Sequence, residues 1–105
     1  LQVRSIEGDW IDVPYMHDCF VMNTGEVLRH WSNGRLLATP HRVVNRTGKE
    51  RYSCPFFFDP NIHSRISTLP SCVDIGEQSE YPDTVFGDMV MNHLRSNHDQ
   101  HDENE

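Results

Sequence analysis

Short β-type runs recur along this chain at close, regular intervals, with turn signals between them and no amphipathic helix in between, and this limits the fold more than any other feature. Residues 1–6 and 10–13 read as two strands joined by Glu7-Gly8-Asp9, a hairpin in which glycine supplies the turn. Residues 19–23, CFVMN, form a β-branched and apolar run bounded by Thr24-Gly25. Further strand candidates are 35–38, 41–45, 51–58 and 65–69, with Arg46-Thr47-Gly48-Lys49 as a hairpin turn between the second and third of these. Many short strands without crossover helices argue for a barrel or sandwich and against a parallel βαβ sheet. Two helices are expected. Residues 26–31 suit one or two turns closed by Ser32-Asn33-Gly34, and in 86–94 Phe86, Met89, Val90 and His93 fall at helical spacing.

The length of 105 residues allows one domain, which buries roughly 65% of the surface its unfolded chain would expose. Nine Lys and Arg against sixteen Asp and Glu give a formal net charge of -7, so the basic footprint of a nucleic-acid or anionic-membrane binder is missing. Part of that charge is local: the last nine residues, NHDQHDENE, hold four acids and no Lys or Arg. Residues 97–105 are therefore expected to be an acidic, disordered tail behind a domain of residues 1–96. His93, His98 and His101 lie where no core would fix a metal geometry. Cys19, Cys54 and Cys72 are odd in number and widely spaced, which suits reduced thiols in a cytoplasmic protein better than a disulfide framework or a zinc knuckle. Asn45-Arg46-Thr47 matches a glycosylation acceptor, but no apolar run long enough for a signal peptide or membrane span accompanies it. The chain opens at Leu1 rather than at Met, so a preceding targeting segment stays open.

The residues with chemistry to offer lie between positions 40 and 61, PHRVVNRTGKERYSCPFFFDPN. Taken alone, a histidine at the start of a strand, such as His41, is more often a hydrogen-bonded structural residue than a ligand. Ten residues later Arg51 opens the next strand candidate, and Ser53, two further on, points to the same face of it. A guanidinium fork with a hydroxyl beside it is a carboxylate clamp, more selective than a point charge. On the plainer reading Arg51 pairs with an acid on a solvated face and the phenylalanines are core. On the sharper one an imidazole, an arginine and a hydroxyl face a barrel interior.

Here the residues match a family. His41, Arg51 and Ser53, in PHRVVN followed by RYSCPFFFDPN, resemble the isopenicillin N synthase-like group of iron(II), 2-oxoglutarate-dependent dioxygenases. LQVRSIEGDWIDVP, CFVMNTGEVLRHWSNGR and YPDTVFGDMVMNHLRS look like family sequence in family order, so the resemblance covers nearly all of residues 1–96. It implies a mainly β fold, the C-terminal part of a double-stranded β-helix of the jelly-roll or cupin-like kind, with a C-terminal helix. It implies that His41 is the distal ligand of a two-His, one-carboxylate iron site and that Arg51 and Ser53 bind the far carboxylate of 2-oxoglutarate. The cofactors implied are Fe(II), 2-oxoglutarate and O2. The activity implied is oxidation of a small organic substrate coupled to decarboxylation of 2-oxoglutarate to succinate.

One part of the family pattern is missing. The His-x-Asp pair that supplies the other two ligands occurs nowhere in the chain, and His101-Asp102-Glu103 comes after His41 in the polar tail. The expectation is therefore a partial barrel whose His-x-Asp would precede Leu1, inactive by itself, with neither nucleic acid nor membrane as partner. An opened barrel would expose a strand edge and residues such as Val43, Phe56 and Phe58, favouring self-association. Two other functions remain: an oxidase of the same family that holds a substrate carboxylate without 2-oxoglutarate, and a non-catalytic β-module that has lost its metal.

Overall fold

The structure, a computed structural model, describes the backbone of residues 1–102 and the side chains of residues 1–96. The side chains of the acidic segment 97–105, with His98 and His101, lie outside the described residues, as do residues 103–105 altogether.

The elements in chain order are β1 (Gln2–Arg4), β2 (Trp10–Asp12), α1 (Glu26–Trp31), β3 (His41–Arg42), β4 (Arg65–Ile66), a 3-10 turn (Pro70–Cys72), β5 (Thr84–Val85) and α2 (Phe86–Asp102). By element the chain is mainly β with a C-terminal helix, as expected. The strands form two small antiparallel sheets, one in the order β2-β1-β3 and the other of β4 and β5.

The first hairpin forms where the sequence places it. Ser5 N–H donates to Asp9 O at 2.8 Å and Gly8 N–H to Ser5 O at 3.1 Å, with Gly8 at φ +99. The helix α1 matches residues 26–31, with Glu26 in its first turn and Arg29 and His30 in its last, each favourable to the helix dipole. Its end is built by left-handed residues: Asn33 has φ +55 and Gly34 φ +79, and Gly34 N–H donates to Arg29 O at 2.9 Å. Gly34 is needed twice over, since a Cβ there would also stand 3.1 Å from the Tyr81 hydroxyl.

The middle of the chain departs from expectation. Residues 19–23, 35–38 and 51–58 are not strands, 41–45 pairs only at His41 and Arg42, and 65–69 only at Arg65 and Ile66. The hairpin expected between 41–45 and 51–58 does not form. Among the described residues β3 pairs with β1 instead, in the register Gln2↔Arg42 and Val3↔His41. The loop at 46–49 closes on itself through side chains, with Asn45 Nδ2–H donating to Lys49 O at 2.7 Å and Thr47 Oγ1–H to Asn45 Oδ1 at 2.8 Å. A strand needs a neighbour for its backbone groups and a surface for one face. Among the described residues, 51–58 have neither: Phe56 is 86% exposed and Phe58 94%.

Ile66, on β4, is fully buried. Around it α1 is tied to the segment after β4 by Leu69 N–H to Trp31 O at 2.9 Å and Thr68 Oγ1–H to His30 O at 3.0 Å. The start of α2 is anchored by Phe86 N–H to Ser64 O and Gly87 N–H to Ile62 O, both 2.9 Å.

Candidate functional site

His41 occupies the first position of β3, an exposed side chain on a strand of two residues. Its Nδ1 lies 3.2 Å from Thr39 O. A carbonyl oxygen only accepts, so in the neutral imidazole this contact favours the tautomer with the proton on Nδ1 and the lone pair on Nε2. The strand is held at its entrance by Arg4 N–H donating to Pro40 O at 2.9 Å. Behind it, on the opposite face from His41, Arg42 Nε–H donates to Gln2 Oε1 at 2.8 Å, and its guanidinium lies 4.1 Å from the centre of the Trp10 ring.

Arg51 and Ser53 are exposed and lie outside any strand. Pairing between their segment and β3 is not formed, so these residues are not brought to His41 by a ladder. Between them Tyr52 donates to Glu50 Oε2 at 2.8 Å, and this hydrogen bond to a carboxylate holds the phenol proton more firmly, raising the Tyr52 pKa. Two shallow hollows of about 250 Å³ and 370 Å³ open elsewhere, one between Arg4, Arg29 and Thr39 and the other among Tyr15, Phe20 and Met22. Neither is lined by His41, Arg51 or Ser53.

The donor set can be weighed against a metal. Among the described residues no three His, Cys, Asp or Glu side chains converge as a metal site. A mononuclear iron(II) site of the facial-triad type needs two imidazoles and a carboxylate on one face. Among the described residues His41 has no second imidazole or carboxylate beside it to meet that requirement.

A second polar cluster escaped the sequence reading. Arg29 Nε–H donates to the Tyr81 hydroxyl at 3.0 Å, the His30 ring lies 4.7 Å from that of Tyr81, and His30 Nε2–H meets Pro82 O at 3.2 Å. The contact with Tyr81, then the carboxylate of Glu26, raises the Arg29 pKa and keeps it charged. These groups clasp α1 to the segment before β5. Partners 52 residues apart leave no local signal, so nothing in the spacing could have revealed them.

The family model described as the 2OG-Fe(II) oxygenase superfamily matches residues 1–60, more than half of the chain. The chain belongs to this superfamily. Its members use Fe(II), 2-oxoglutarate and O2. The 2-oxoglutarate-Fe(II) type oxidoreductase hxnY of Emericella nidulans is 41% identical over 83 residues, which are 79% of this chain and 24% of the relative. Feruloyl CoA ortho-hydroxylase 1 of Arabidopsis thaliana is 36% identical over 100 residues, 94% of this chain and 28% of the relative. Homoarginine-6-hydroxylase 2-ODD-233 of Oryza sativa subsp. japonica is 33% identical over 98 residues, 92% of this chain and 30% of the relative. The chain thus spans about a quarter of the length of the curated relatives it matches. His41, Arg51 and Ser53 all fall inside the superfamily match.

Proposed function

We propose that this chain is the part of a non-haem iron(II), 2-oxoglutarate-dependent dioxygenase that supplies the distal iron ligand, His41, and the carboxylate clamp, Arg51 with Ser53. The observation that carries the proposal is the spacing His-x9-Arg-x-Ser within the stretch that matches the superfamily. The His41 tautomer supports it, because Nε2 keeps the lone pair that a metal ligand needs. The other two ligands would come from residues outside these 105, completing a double-stranded β-helix in which 41–45 and 51–58 face each other as strands. Arg51 would then hold the far carboxylate of 2-oxoglutarate through its planar fork, with the Ser53 hydroxyl as a further donor.

The whole protein would couple decarboxylation of 2-oxoglutarate to succinate with oxidation of a small organic substrate. The hydroxylase names of the Arabidopsis and rice relatives support that reaction class. Three free cysteines suit a cytoplasmic setting, which belongs to the same proposal. Exposure of Val43, Phe56 and Phe58 supports self-association of the 105 residues when nothing else covers them.

Succinate release tests the reading. The complete gene product, supplied with iron(II), 2-oxoglutarate and air, should form succinate, and His41→Ala should lower the rate by more than about 100-fold, beyond the loss typical of a residue that only supports a ligand. An unchanged rate in His41→Ala would overturn the assignment of His41.

A further inference from the structure

A row of side chains lies across the sheet on the face opposite His41. Gln2 is only 4% exposed, and a buried amide must find partners for both its donor and its acceptor. Gln2 Nε2–H donates to Asp12 Oδ1 at 2.9 Å, and Gln2 Oε1 accepts from Arg42 Nε–H at 2.8 Å. A carboxylate only accepts and a guanidinium only donates, so one orientation of the amide satisfies both. The registers Gln2↔Asp12 and Gln2↔Arg42 put the three residues in one row across β2, β1 and β3. The register Val3↔His41 puts the imidazole on the other face.

We propose that Gln2 is a positioning residue for His41, bridging Asp12 and Arg42 and so fixing β3 from the face opposite the imidazole. The role of His41 rests on the functional reading above; the bridge itself does not. β3 has two residues and gives way after Arg42 to a long exposed coil, so the backbone ladder alone holds it weakly. The Gln2 bridge and the Trp10 ring grip Arg42 by its guanidinium. That grip fixes the neighbouring Cα of His41 and the approach of its Nδ1–H to Thr39 O. Only glutamine fits between these partners at this length: an acid in its place would still accept from Arg42 but would set a second carboxylate against Asp12.

The substitutions Gln2→Glu, Asp12→Asn and their combination test the bridge in the 105-residue chain. The measurements are amide hydrogen exchange and the imidazole nitrogen shifts of His41, taken near pH 8.5, about two units above the ordinary histidine pKa. Gln2→Glu should speed exchange in β1 and β3 on the order of tenfold, while β4 and β5 keep their protection, and the Nδ1–H signature of His41 should fade. The combination should restore both readouts to within about threefold of wild type, because the new amide at position 12 donates to the new carboxylate at position 2. Should Gln2→Glu fail to fold, the combination alone decides, and recovery of wild-type behaviour supports the bridge. Wild-type values in Gln2→Glu, no recovery in the combination, or an equal rise of exchange in β4 and β5 would each overturn it. No iron or 2-oxoglutarate is present in these measurements, so failure of the functional reading shows separately, in the succinate assay.

Discussion

Gly87, the second residue of α2, stands close against the backbone of the preceding segment. A Cβ at this position would lie 2.9 Å from Ile62 Cγ1 and 3.0 Å from Ile62 O, and Gly87 N–H already donates to that carbonyl. Alanine would gain about 1 kcal/mol of helix propensity. Overpacking costs about 1–3 kcal/mol, and here one of the obstructing atoms is backbone, which yields less than a side chain. The clash should win, with Gly87→Ala lowering the thermal midpoint by about 4–8 °C for each kcal/mol of net loss. A raised midpoint in a melting experiment would show that residues 62–64 move away freely. Single residues were also the most legible part of the candidate site. His41, Arg51 and Ser53 stand out by type and spacing, because few side chains can ligate a metal or fork a carboxylate. Gln2 and Asp12 carry no such mark, and their pairing with Arg42 exists only once three strands lie side by side.

The second sheet offers a separate test at the scale of the element. Arg65 on β4 forms an ion pair with Asp83, just before β5, and this bond, with a smaller contribution from Ser67, holds the Asp83 pKa below the usual carboxylate range. A depressed pKa means that the folded state favours the charged carboxylate. Its contribution to stability is therefore present above the unfolded value of about 3.9 and is lost as pH falls through the lower folded value. Both side chains are largely in water, 73% exposed for Arg65 and 48% for Asp83, so salt should weaken the effect. Carboxyl titration by NMR should place Asp83 below the ordinary value, and Arg65→Met should return it most of the way, Ser67 still donating. An unshifted Asp83 in the parent chain would show that Arg65 does not hold the carboxylate charged. The elements that could be read from sequence are those closed locally: the turn around Gly8, the cap at Gly34 and the helical spacing of Phe86, Met89 and Val90. The strand expected at 51–58 failed because alternation and β-propensity report what a segment suits, whereas a strand also needs a partner, and among the described residues none reaches it.

At the scale of the whole molecule, the apolar residues of the middle segment and the proposed clamp residues stand open. The radius of gyration is 16.8 Å, against about 13 Å for a compact domain of 100 residues. Phe56, Phe57 and Phe58 are 86%, 76% and 94% exposed, next to the Arg51 and Ser53 that would line the interior of a closed barrel. The proposed function has this segment fold back beside β3 in the complete catalytic domain, with Arg51 gripping 2-oxoglutarate. Its most direct test is the affinity of that domain for 2-oxoglutarate, measured for the parent, Arg51→Ala and Arg51→Lys. Charge-assisted hydrogen bonds are worth roughly 1.5–3 kcal/mol each. Arg51→Ala should therefore weaken 2-oxoglutarate by about one to two powers of ten or more, and Arg51→Lys should recover only part, since an ammonium cannot reproduce the planar fork. Equal affinity for 2-oxoglutarate in the parent and Arg51→Ala, with loss of affinity for a carboxylate-bearing substrate instead, would contradict the proposed function and give the clamp to the substrate.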